Sequence, residues 1–198
     1  MAPDAARRVA MACGVASPAV AALGIGAAMI VAPSFDFSTQ ALSDLGVTEG
    51  AAPLFNGSLL LAGLLGLGFA WFLWTEATDQ FQRAGAVAFA GAVVGLAGVG
   101  AFPAGTTLHR PSALSFYGLA TYALFLWGTG LVRTGATTRG LATLWLGVLH
   151  VTAWLAWGVA LVPLGLTGVA TPETAGAAVV AWWTVTTVRR HRRVRRTP

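Results

Sequence analysis

Apolar residues fall into six long blocks along the chain, at 9–32, 54–75, 84–102, 113–132, 141–163 and 174–188, separated by short polar joints. The blocks are continuously apolar, and most approach the roughly 20 residues a helix needs to cross the hydrocarbon core of a bilayer. A membrane barrel would instead show runs of about ten residues alternating in polarity. The pattern predicts an all-α, polytopic bundle of six transmembrane helices, forming one domain over 1–198 with a basic tail at 189–198. The last block is the shortest, and snorkelling of Arg189 and Arg190 would extend it to the interface.

Composition supports the same class. Hydrophobic residues make up 56% and charged residues 10% of the chain, against about 25% charged in a soluble domain. Lipid must therefore cover most of the surface. All twelve basic residues are arginines. Alternating spans place Arg7, Arg8, Arg83, Arg133, Arg139 and the six tail arginines on one side, and Arg110 alone on the other. Cytoplasmic loops collect basic residues, so both termini are expected in the cytoplasm, with the protein in the cell membrane. The net charge of +5 then reflects topology and attraction to anionic headgroups, about 1 kcal/mol per arginine. Membrane lipids are the expected partners, and nucleic acid is not. Cys13 is the single cysteine, which excludes an internal disulfide. The first block exceeds the roughly 7–15 apolar residues of a signal peptide and is expected to stay as an anchor.

Small residues mark close helix approaches. Gly91 and Gly95, extended by Gly98, and Gly63 with Gly66 and Gly68 form such rows. Either row suits a neighbouring helix or a second copy, so a homo-oligomer through Gly91 and Gly95 stays open. Trp71, Trp74, Trp182 and Trp183 sit where an interfacial aromatic belt is expected.

The polar residues gather on the side opposite the arginines. The longest loop, 33–53, carries Asp36, Asp44 and Glu49. Residues 39–45 have the pattern of one or two helical turns lying on the membrane, with Leu42 and Leu45 toward lipid and Gly46 as the stop. Asp44, Asn56, His109 and Glu173 fall at about one depth. Leu42-Ser43-Asp44-Leu45-Gly46, followed by Phe55-Asn56-Gly57 and an apolar helix, resembles the domain-of-unknown-function 998 family. Gly100-Ala101-Phe102-Pro103 leading to His109 extends the likeness over roughly 31–125. A fainter likeness reaches the Frag, DRAM and Sfk membrane families, some members of which are linked to lipid remodelling or regulation. The resemblance implies six helices and a lipid-related role, and names no activity.

Three chemistries compete for these residues. A hydrolase would use Ser43 as nucleophile and His109 as base, with Asp44, Glu173 or Asp36 orienting the histidine. A metal site from Asp44, His109 and Glu173 lacks any close-spaced ligand pair and is not expected. In the third reading Asp44 caps a turn, or pairs with Arg110 or His109, and clamps the loop over the bundle. Asn56, His109 and Arg110 would line a ligand site, the guanidinium matching a phosphate. Whether the chain is an enzyme, a lipid-binding protein or a small transporter stays open, and no cofactor is indicated. His150 falls near the middle of the fifth block, where a charge is costly. A neutral ring bonded to Thr121, Thr129 or Ser115 is expected, a proton relay being the alternative.

Overall fold

The structure, a computed structural model, describes residues 3–194; tail residues 195–198 and the side chains of 192–194 lie outside the described residues. Six long helices follow one another: α1 Pro3–Val31, α2 Ala52–Glu76, α3 Gln80–Ala101, α4 His109–Arg133, α5 Thr137–Ala156 and α6 Ala170–Val194. A 3-10 turn, Leu42–Val47, stands in the first loop, and α5 runs on through a π turn, Trp157–Leu161, and a 3-10 turn, Val162–Leu164. The described residues contain no strand. Five helices, α1 to α4 and α5 with its extension to Leu164, are long and apolar enough to cross a membrane. Helix α6 matches them in length at 25 residues, but its threonines, glycine and Glu173 dilute its apolar content.

Helix α3 begins before its apolar block because a polar group starts it. The Asp79 carboxylate accepts from the Phe81 amide at 2.7 Å and caps α3, satisfying a donor that the helix cannot. Gly135, with φ of 86°, turns the chain between α4 and α5, a conformation that costs glycine little.

Each helix packs against the next, and α6 returns to α1 to close a ring. Gly95 faces the α4 backbone at Ser112 and Phe116, and Gly91 faces Leu119. This row is therefore filled from within the chain. Gly63 and Gly66 meet Val93 and Ala97 of α3 in the same way. At the arginine-rich end, Phe69, Phe89, Trp127 and Trp183 pack edge to face, with ring centroids 5.5–6.4 Å apart. Trp183 is 2% exposed and belongs to this core rather than to an interfacial belt, whereas Trp71, Trp74 and Trp182 face outward.

The first loop departs most from expectation. Leu42 and Leu45 are buried against Ala28, Phe55, Leu59 and Val99 instead of facing lipid. The 3-10 turn plugs the open end of the ring, where burying two leucines is worth about 1.5–3 kcal/mol each. Gly46 is not a left-handed stop either, since the positive-φ glycines are Gly50, Gly105, Gly135 and Gly165. Its role is to leave room: a Cβ there would stand 2.5 Å from Asn56 Oδ1 and 3.1 Å from Phe55 Cδ1.

Candidate functional site

The plug is fastened by hydrogen bonds from three sides. Within the turn, Asp44 Oδ2 accepts from the Ala41 amide at 2.9 Å, and the Thr48 hydroxyl donates to the Asp44 carbonyl at 2.8 Å. From α2, Asn56 Nδ2 donates to the Gly46 carbonyl at 2.8 Å. From α6, Glu173 Oε2 accepts from the Leu42 amide at 2.7 Å, across 131 residues of sequence. The amides of Gly168 and Ala170 donate to the carbonyls of Ser38 and Gln40 at 2.8 and 3.0 Å. Asp44 thus caps its own turn and bonds to neither Arg110 nor His109. Arg110 is exposed on the first turn of α4 and forms no ion pair among the described residues. At the edge of the loop, Asp36 accepts from the Ser38 hydroxyl and amide and from the Thr39 hydroxyl, at 2.6, 2.8 and 3.2 Å. These bonds, the Ser38 hydroxyl foremost, hold its carboxyl below the ordinary value.

His109 is fixed by the segment before it. Its Nδ1 lies 2.8 Å from the Phe102 carbonyl. A carbonyl only accepts, so Nδ1 carries the proton and Nε2 is the nitrogen turned away from the Phe102 carbonyl. The preceding Gly100 brings α3 against the backbone of Asn56 and Leu60. The two sequence motifs thereby meet through α2.

Beneath the plug, inside the ring, lies a cavity of about 420 Å³. Ser43, His109 and Glu173 line it, together with Leu42 and Phe37 of the loop. Its depth is set along α6, where Glu173 and Thr184 both border it. Eleven residues at 1.5 Å each make that span about 16 Å. The walls are apolar, including Ile25, Met29, Leu59, Val93, Leu96 and Phe116. Of the residues singled out from sequence, the cavity unites Ser43, His109 and Glu173, while Asp44, Asn56 and Arg110 stand outside its lining. No hydrogen bond joins Ser43 to His109 among the described residues, and no group of three metal-ligating side chains occurs among them.

Sequence reasoning missed Tyr117, Thr174, Ser17 and Thr184, which also line the cavity. The Tyr117 hydroxyl donates to the Glu173 carbonyl at 3.2 Å and pins α4 to the start of α6. A signal for the cavity did exist: Ala21, Ala22 and Gly26 on α1 and Ala177, Ala178 and Ala181 on α6 leave space where larger side chains would fill it.

His150 is fully buried on α5, away from that cavity, with its Nδ1 3.1 Å from the Thr121 hydroxyl. Thr121 gives its one proton to the Tyr117 carbonyl at 2.9 Å. His150 Nδ1 must then be the donor, and Nε2 is left buried without a partner beside Gly176. Of the expected partners for the ring, Thr121 is the one found.

No curated protein and no solved structure matches the chain. The model of the family described as "Protein of unknown function (DUF998)" matches residues 15–190. With the loop motif, the Asn56 contact and the His109 segment all inside that match, the chain belongs to the DUF998 family.

Proposed function

We propose that this chain is a multi-pass protein of the cell membrane that holds an apolar lipid chain in the cavity inside its ring, with the lipid's polar end beneath the plug. All six long helices span in this reading, and the arginine-rich end faces the cytoplasm. The cavity carries the proposal. Its volume of about 420 Å³ falls within the 300–1,000 Å³ typical of small-molecule sites. Its length of about 16 Å suits an extended chain; Ser43, His109, Tyr117 and Glu173 gather at the plug end, and the hydroxyls at the deep end, Ser17 and Thr184, are bonded to the carbonyls of Ala62 and Ala181. The plug-end groups also restrict the head: Glu173 brings a carboxyl, His109 its ring Nε2, and Ser43 and Tyr117 hydroxyls, with no arginine in the lining. A neutral, hydroxyl-bearing or amine-bearing head fits; a phosphate would face Glu173 without a cation.

A lipid hydrolase is the second reading, favoured by Ser43 and His109 lining one cavity. His109 Nε2 would then be the base, its Nδ1 proton being held by Phe102. The transporter reading draws no support from His150, which borders neither the cavity nor a second ionisable side chain within hydrogen-bonding reach.

The test is lipid retention by the purified full chain. Extracted wild-type protein is expected to carry about one lipid per chain, identified by mass spectrometry. Ala177→Phe, which fills the cavity wall, is expected to lose it while eluting and unfolding like wild type. Equal retention by both proteins would sink the proposal. Hydrolysis of the retained lipid, abolished by Ser43→Ala, would advance the enzyme reading.

A further inference from the structure

At the arginine-rich end of the ring, α4, α5 and α6 and the turn between α2 and α3 enclose a second cavity, of about 390 Å³. It is separate from the lipid cavity, and its chemistry is the opposite. Arg139, on the first turn of α5, and Arg190, near the end of α6, both line it. Neither has an ion-pair partner among the described residues. The carboxylate of the lining, Glu76, is already engaged: Arg7 Nε donates to its Oε1 at 2.7 Å, and His191 Nε2 lies 3.6 Å from its Oε2. Trp183 also lines the cavity; it is 2% exposed, and its indole N–H meets no acceptor. An indole nitrogen can only donate. The site therefore offers two exposed guanidinium forks, while its acidic group is already paired with Arg7.

We infer that this cavity binds a phosphate monoester. A guanidinium presents paired donors that match two phosphate oxygens, and such charge-assisted bonds are roughly twice as strong as neutral ones. Basic pockets between helices near the cytoplasmic face are suited to anionic headgroups. Trp182, which borders the cavity and is 62% exposed, continues an apolar path from the pocket to the outer surface of the ring. The phosphate belongs either to a phospholipid of the surrounding leaflet or to a soluble organic phosphate. The inference stands independently of the lipid cavity at the other end.

Thermal unfolding of the full chain tests it in phosphatidylcholine nanodiscs, with and without phosphatidic acid, and with glycerol phosphate added to the plain discs. A ligand at about 100 times its Kd raises the midpoint on the order of 5 °C for a chain of this size. The R139Q/R190Q variant is expected to lose that rise. The charge-matched R83Q/R189Q variant, whose arginines lie outside the cavity, is expected to keep it. A rise with phosphatidic acid alone assigns the phosphate to lipid; a rise with glycerol phosphate as well assigns recognition to the phosphate group whatever carries it. No rise, or a rise lost equally in both double variants, overturns the inference in favour of general surface charge. Should R139Q/R190Q fail to purify folded, the single variants R139Q and R190Q are each expected to show a reduced rise, and unchanged rises in both would overturn it equally.

Discussion

Replacing Gly46 by alanine probes why the loop motif contains a glycine. The new Cβ would stand 2.5 Å from Asn56 Oδ1, while Asn56 Nδ2 is bonded to the Gly46 carbonyl at 2.8 Å. The amide must either endure the clash or turn away and orphan a buried carbonyl; overpacking and orphaning each cost about 1–3 kcal/mol. Gly46→Ala is therefore expected to destabilise the protein by about 1–3 kcal/mol, taking whichever route is cheaper. In an Asn56→Ala background the clash is gone, and only Phe55 Cδ1 at 3.1 Å remains. Because φ at Gly46 is not positive, alanine there also restricts the unfolded chain, a gain of about 0.4–1 kcal/mol. The substitution should then be nearly neutral. A double-mutant cycle measured by denaturing-detergent titration, followed by tryptophan fluorescence, is expected to show coupling of about 1–3 kcal/mol. If Gly46→Ala costs the same in both backgrounds, to within about 0.5 kcal/mol, close approach is not the reason for the glycine.

Other predictions follow from neighbouring contacts. Gly176→Ala would place a Cβ 2.6 Å from the buried His150 Nε2; it is expected to cost about 1–3 kcal/mol and clearly less in a His150→Ala background, and equal costs would refute the contact. Asp36 has a folded pKa below its ordinary 3.8, so its support of the loop is fully present above that value and lost as pH falls through the lower folded one. Amide-exchange protection at Ser38, corrected for intrinsic rates, should follow that course and become pH-independent in Asp36→Asn; loss of protection near neutral pH would refute the assignment. For orientation, a Cys13→Ser chain carrying Glu49→Cys should react with an impermeant maleimide on intact cells, and one carrying Thr138→Cys only after permeabilisation. The reverse result would invert the topology.

The helices were legible because the apolar blocks are long and the joints polar. Their ends were not, since the Asp79 cap of α3 lies outside any apolar run and α6 hides its length behind Glu173 and threonines. The loop motif was legible as a place but not as a geometry. Leu42 and Leu45 would suit a membrane surface or a plug equally well, and long-range contacts such as the bond between Glu173 and Leu42, 131 residues apart, decide for the plug. Arg110 drew attention by breaking the charge pattern, yet its exposure leaves it outside the cavity. The cavity itself consists of what alanines and glycines on α1 and α6 leave unfilled, and such space exists only once those helices face each other.

The most direct measurement is photo-crosslinking of the full chain in nanodiscs, using a single-chain lipid bearing a diazirine either at its chain end or beside its head. The chain-end probe is expected to mark Ser17, Phe89 or Thr184, deep in the cavity, and the head probe Ser43, His109 or Glu173. Labelling confined with either probe to outward-facing positions such as Leu23, Leu64 and Trp145 would contradict that expectation, because the lipid would then be only solvent for the ring and not its ligand.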